Sequence, residues 1–229
     1  ADGDTPVSAY AKLGEPEYSF LLESVIGGEK WAAYSFIGVR PRAVLRCRGK
    51  KATVEWYDVD GDGSVREASW ECNDPTIALQ EVMSEWKPIE VVGLPRFWGG
   101  AVGWISYDVA NAFEDLPTRA PDDLELPELC MVITDTVVIF DNLRQTIKVV
   151  ATPYVPRAEK AGEIYDKALQ RVDETILKLK NNRPQLADLE PPPVYEAGST
   201  KMRWGGEEPE STFSKEAFLA AVDDVKEYI

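Results

Sequence analysis

Hydrophobic and polar positions change their period once along the chain. Before position 151, runs rich in aromatic and β-branched side chains predict strands at 18–23, 33–40, 43–48 and 53–59, punctuated by Gly27-Gly28, Pro41 and Gly49. The gaps between these runs are too short for βαβ crossovers, which favours antiparallel pairing. Further strands are predicted at 97–109, 129–141 and 145–151, the last two joined by a short polar stretch at 141–144. One helix interrupts the series. Asp74 suits an N-cap and Pro75 the first helical position; Ala78, Val82 and Trp86 share a face that Leu79 and Met83 widen, and Lys87-Pro88 ends it.

After Pro156 the spacing becomes helical through Ala161, Ile164, Ala168, Val172, Ile176 and Leu179, until Asn181-Asn182-Arg183-Pro184 stops it. The segment 184–211 holds Pro191-Pro192-Pro193, Gly205-Gly206 and Pro209 and is expected to be an exposed linker. Ser214 then caps a helix whose apolar positions are Phe218, Val222, Val225 and Ile229. That apolar face has no partner in the sequence, so the chain is expected to be the first part of a longer protein. A genuine C-terminal helix packed on the β-rich region is the alternative. The expected division is a β-rich domain at 1–155, an amphipathic helix at 156–183, a linker at 184–211 and the opening helix of a further part at 212–229. The class is α+β, mainly antiparallel, with peripheral helices.

Composition narrows the chemistry. Forty acidic against 25 basic residues among 229 give a net charge of −15, which opposes nucleic acids and anionic membranes at long range. No apolar run approaches the length of a membrane span, and the first ten residues lack the basic and apolar regions of a signal peptide. There is no histidine, so Ser-His-Asp and Cys-His catalysis within this chain are excluded. The three cysteines, Cys47, Cys72 and Cys130, are far apart, form no CxxC pair, and are expected to be buried thiols in a reducing compartment.

Three motifs invite a functional reading and have plainer ones. Asp58-Val59-Asp60-Gly61-Asp62-Gly63 matches the first half of a calcium loop, but position 12 of that loop is Ser69 instead of glutamate and the flanks look like strands. An acidic hairpin turn accounts for it. Gly99-Gly100-Ala101-Val102-Gly103 lacks the Lys-Ser/Thr of a phosphate loop, so the glycines are expected to allow a bend or a close approach of neighbouring chain. The seven tryptophans are scattered, which suits packing.

A family resemblance adds what spacing does not. Phe20-Leu21-Leu22-Glu23-Ser24, ten residues, then Ser35 match the LLES-x10-S signature in the N-terminal part of anthranilate synthase component I. The ThrProValSer at 5–8, the TyrSerPheIleGly at 34–38 with Arg40-Pro41, the segment from Leu94 to Val109, the stretch from Leu126 to Asp141 and the final helix from Phe213 resemble further segments of that family in order. Together they cover residues 5 to about 155 and 211–229.

The resemblance implies a regulatory, β-sandwich-like N-terminal part of an enzyme that turns chorismate into anthranilate in tryptophan biosynthesis. That enzyme uses Mg2+ and ammonia from a glutamine amidotransferase, component II. Its catalytic residues and magnesium carboxylates are expected in a chorismate-binding part beyond residue 229, leaving this chain with no catalytic residue, no metal site and no activity of its own. By the same resemblance Leu22, Glu23, Ser24, Tyr34 and Ser35 would line the site of the feedback inhibitor L-tryptophan. Glu23 suits the ammonium, the hydroxyls of Ser24 and Ser35 suit polar groups, and Leu22 suits the indole. Alternatives within reach of the sequence are the N-terminal part of aminodeoxychorismate synthase component I, in the folate pathway, and a non-catalytic amino-acid-binding or interaction module. A cytoplasmic location is expected; a plastid one stays open.

Overall fold

Two long strands carry the architecture of this computed structural model, which describes residues 4–14, 17–23, 34–57, 64–84, 86–116, 122, 124–183 and 214–226. The chain divides into two compact units, Ala1–Gln185 and Leu186–Ile229. In the first, β2 (Tyr34–Arg48) and β6 (Leu129–Asp141) run antiparallel from Tyr34 opposite Asp141 to Cys47 opposite Leu129. Short strands flank one end of this pair on its two sides: β1 (Phe20–Leu22) lies beside the start of β2, and β7 (Thr146–Ala151) beside the end of β6. Further along, β3 (Lys51–Tyr57) and β4 (Val65–Glu71) extend the β2 side, while β5 (Ala101–Ile105) forms the edge beside β6.

All seven described strands thus belong to one antiparallel, curled sheet. The α+β, mainly antiparallel class holds, with the strands in a single hydrogen-bonded sheet.

Pro41 does not separate two strands, as the sequence suggested. It sits inside β2, where the register against β6 shifts repeatedly between Gly38 and Ala43. A bulged segment accommodates a residue that has no N–H to donate, so the strand bends there and continues. The strand expected at 97–109 shrinks to Ala101–Ile105. Gly100, at φ +133°, bends the chain before it. Ile105 opposite Leu129 is its last pairing, Ser106 N–H donates to Glu128 O at 2.7 Å, and Tyr107–Ala112 winds into a 3-10 turn.

The pattern of burial assigns a core to each end of the sheet. At the β3 end, Ala43, Leu45, Ala52, Val54, Leu129 and Ile133 pack against Ala78 and Val82 of α2 (Pro75–Ser84), with Trp56, Trp70 and Trp86 around them. Asp74 Oδ1 accepts the Thr76 N–H at 2.8 Å, the cap the sequence predicts. At the β1 end, Ile37, Val138 and Phe140 meet Ala9 and Leu13 of α1 (Pro6–Leu13) and Leu179 of α3 (Ala161–Asn181). Full burial of each large apolar side chain contributes roughly 1.5–3 kcal/mol before entropy is counted.

Helix α1 was not foreseen, although its signals are in the sequence. Thr5 and Ser8 form a reciprocal capping box, Pro6 opens the helix, and Gly14 closes it at φ +89°. Cys47 and Cys130 are buried and Cys72 is half-buried; all three are free thiols. In the second unit, Ser214 Oγ accepts the Ala217 N–H at 3.1 Å and caps α4 (Lys215–Lys226), as expected. No described helix is long and apolar enough to cross a membrane.

Candidate functional site

The start of β2 and the short strand beside it hold most of the signature residues. Three contacts place β1. Tyr10 and Ser19 hydroxyls share a hydrogen bond of 2.6 Å, which ties the strand's entry to α1. Tyr18, at φ +59°, accepts a hydrogen bond from Arg46 Nη1, with the guanidinium carbon 5.7 Å from its ring centroid. The Phe20 ring lies over Gly38, where an added Cβ would come within 2.1 Å of it. Arg46 also binds Glu55, whose Oε2 accepts the Tyr57 hydroxyl at 2.7 Å. Burial raises the Tyr18 hydroxyl above its ordinary pKa, and burial together with the Glu55 hydrogen bond raises that of Tyr57. Both are neutral anchors at physiological pH.

With β1 so held, Leu22 pairs with Phe36. One step further along the same register, Glu23 falls opposite Ser35. Leu22 is 42% exposed and Glu23 is exposed, so neither belongs to the core. Ser24 lies outside the described residues. Tyr34 is half-buried, with its ring 6.1 Å from that of Phe36, which meets Phe97 edge-on at 5.1 Å.

Side chains alternate along a strand. Leu22, Tyr34 and Phe36 therefore share one face, whereas Ser35 shares the other with Ile37 and Phe140. Ser35 is 1% exposed, and its Oγ lies 3.5 Å from Asn142 Nδ2. The structure thus gathers Leu22, Glu23, Tyr34 and Ser35 at one end of the β1–β2 pair but divides them between two faces.

Two residues that sequence reasoning passed over stand at the same end. Asp141 pairs with Tyr34 and is 2% exposed. Its Oδ1 accepts the Arg144 N–H at 3.0 Å, while Oδ2 is buried without a hydrogen bond, 3.7 Å from Arg144 Nη1. Asn142 follows it beside Ser35. The signal was present, because Phe140-Asp141 closes one of the segments that carry the family resemblance, yet a residue matched only as part of a pattern gave no hint of its cross-strand partner.

The remaining motifs resolve separately. Residues 58–63 lie outside the described residues, but the flanking β3 and β4 are paired strands, with Tyr57 opposite Val65, and not the helices a calcium loop needs. The glycines at 99–103 serve close approach. A Cβ on Gly99 would stand 2.8 Å from Thr152 Cγ2, and one on Gly103 would stand 1.9 Å from the Cys130 carbonyl oxygen.

Comparison with known proteins places these elements in a family. The model of the chorismate binding enzyme family matches residues 19–229. Anthranilate synthase component 1 of Aquifex aeolicus (strain VF5) is 36% identical over 234 residues, covering 100% of this chain and 42% of the relative. Its counterpart from Pseudomonas aeruginosa is 34% identical over 233 residues, covering 100% of this chain and 43% of the relative. Among solved structures, anthranilate synthase component I from Streptococcus pneumoniae TIGR4 aligns with a TM-score of 0.44 and 21% identity, over 66% of this chain and 31% of that one. The chain spans less than half the length of the curated relatives it matches. With the family match running from β1 through α4, the chain belongs to the chorismate-binding enzyme family, and its relatives there are component 1 of anthranilate synthase.

Proposed function

We propose that this chain is the N-terminal part of an anthranilate synthase component I and carries its L-tryptophan feedback site. The observation that supports this most is the pairing of Leu22 with Phe36, which draws the two ends of the LLES-x10-S signature to one end of a strand pair. Leu22, Glu23, Ser24 and Tyr34 line the site, whose far side is supplied by the chorismate-binding part, and Ser35, 1% exposed, lies behind it on the other face of β2. Glu23, exposed at the strand end, takes the ammonium of the amino acid. The aromatic cluster of Tyr34, Phe36 and Phe97 offers a surface for the indole.

The reaction of chorismate with ammonia, giving anthranilate, pyruvate and water, runs elsewhere in the complete protein, with component II supplying ammonia from glutamine. Mg2+ belongs with that chemistry. Among the described residues, no three His, Cys, Asp or Glu side chains converge on a common point. Three unpaired thiols suit a reducing compartment such as the cytoplasm. Regulation follows if tryptophan binds one arrangement of the two parts better than the other, since a ligand shifts an equilibrium only by its differential affinity.

The test uses the complete protein with saturating ammonia and Mg2+. Ser24→Arg fills the site with bulk and charge, so tryptophan inhibition is expected to disappear while turnover stays within about twofold, the site lying apart from the chemistry. Equal loss of turnover and inhibition, or inhibition unchanged, refutes the assignment.

A further inference from the structure

An indole carries one N–H donor, which needs an acceptor once the ring is buried. The rings of Phe36 and Phe97 offer none. Asp141 does, and the pairing of the strands sets it on the same side of the sheet. Directly opposed residues on antiparallel strands present their side chains to one face. Leu22 opposite Phe36 and Tyr34 opposite Asp141 therefore share a face, while Leu21, Ile37, Val138, Phe140 and Ile147 pack with α1 and α3 on the other. The shared face is open at this end: Leu22 is 42% exposed, and Tyr34 and Phe36 are half-buried.

Asp141 itself is 2% exposed. One of its oxygens serves the turn into β7, where Oδ1 accepts the Arg144 N–H at 3.0 Å. Its Oδ2 has no hydrogen bond among the described residues, and Arg144 Nη1, on a side chain 72% exposed, stays 3.7 Å away. Burying a carboxylate oxygen without a hydrogen bond is costly. An Asn or a Ser would hold the same turn without burying a charge, so the turn alone does not account for a carboxylate here. Cross-strand neighbours keep their Cβ atoms about 4.5–5.5 Å apart, so a ring laid against Tyr34 brings its edge to Asp141.

Taking this end of the strand pair to be the L-tryptophan site proposed above, we propose that Asp141 sets its specificity: Oδ2 accepts the indole N–H while Tyr34 and Phe36 flank the ring. A buried charged acceptor favours a ligand with a donor at that place and penalises one that leaves it bare. Phenylalanine, which has no such donor, is thereby rejected.

The complete protein, assayed with saturating ammonia and Mg2+, tests this with L-tryptophan and 3-benzothienyl-L-alanine, in which sulfur replaces the indole N–H. Half-inhibition of the parent protein is expected at an L-tryptophan concentration about tenfold or more below that of the analogue. Asp141→Asn keeps an acceptor for the Arg144 N–H and is expected to bring the two concentrations within about twofold of each other. Tyr34→Phe, which removes the neighbouring hydroxyl, is expected to retain the preference. Each ratio is taken within one protein, so altered turnover does not enter it. If Asp141→Asn does not fold, Asp141→Ser carries the comparison. A parent ratio near one overturns the assignment and leaves the feedback site standing, as does a preference that survives the change at Asp141. No inhibition of the parent by L-tryptophan removes the feedback site and this assignment with it.

Discussion

Replacing Gly103 by alanine is expected to detach the edge strand β5. The position has an ordinary backbone angle, so the reason for glycine is space. An added Cβ would stand 1.9 Å from the carbonyl oxygen of Cys130 and 2.9 Å from the Met131 Cα, where ordinary contact begins near 3.4 Å. The strands would have to part by about 1.5 Å, and both offending groups are backbone of β6 that cannot rotate away. Five cross-strand pairings, Ala101 with Ile133 through Ile105 with Leu129, depend on that spacing. Overpacking costs about 1–3 kcal/mol, and the rigid partner puts this case near 3. For a domain of this size that lowers the thermal midpoint by roughly 6–12 °C.

Gly162 supplies the contrast. Nothing lies within 4 Å of a Cβ there, at the start of α3. Gly162→Ala is expected to leave stability unchanged or raise it by up to about 1 kcal/mol, a rise in midpoint of at most roughly 2–4 °C. Calorimetric melting of both variants measures the difference, and hydrogen exchange reports whether the β5 amides lose protection while those of β2 keep theirs. A Gly103→Ala midpoint within about 2 °C of wild type would refute the steric reasoning.

Two further outcomes follow from buried charge and buried thiols. Asp135→Asn leaves Arg42 and Arg171 without their shared carboxylate and is expected to destabilise the fold by about 2–4 kcal/mol, somewhat below a fully buried pair because the side chains are partly exposed. Urea unfolding measures this, and a loss under about 0.5 kcal/mol contradicts it. Burial pushes the Cys47 thiol up to about 12 and raises Cys130, so at pH 8 a thiol reagent should label half-buried Cys72 first and the other two only after unfolding. The unfolded Cys47 thiol ionises near 9.0 while the folded one keeps its proton to about 12. The unfolded state therefore gains as pH rises, and stability falls between those values. Cys47→Ala should flatten that slope, and rapid native labelling of all three thiols would contradict the burial argument.

Where period and punctuation agreed, the sequence was a good guide. Strand β6 runs over 129–141 as its apolar run predicts, Asp74 caps α2, and Ser214 caps α4. Pro41 misled because a proline ends a strand only when the ladder needs its N–H, and the shifted register of β2 against β6 removes that need. The strand expected to reach Val109 stopped at Ile105 because its partner starts at Leu129, and a partner's end is not written in the segment itself. Helix α1 was legible in Thr5, Pro6, Ser8 and Gly14 but too short for periodicity to register. In the candidate site, the LLES signature lies at the end of β1, beside the start of β2. The separation of Tyr34 from Ser35 follows from strand alternation alone, whereas the arrival of Asp141 from a distant strand depends on pairing across more than a hundred residues of sequence.

That long reach has a consequence for how the molecule is made. Strand β2 ends at Arg48, yet its chief partner β6 begins only at Leu129, and closing so wide a loop is entropically costly. Neither core can be completed before then, since both are built on the same two strands. Until β6 has been made, the nascent chain must carry an apolar strand with an open edge, which favours slow folding and reliance on chaperones.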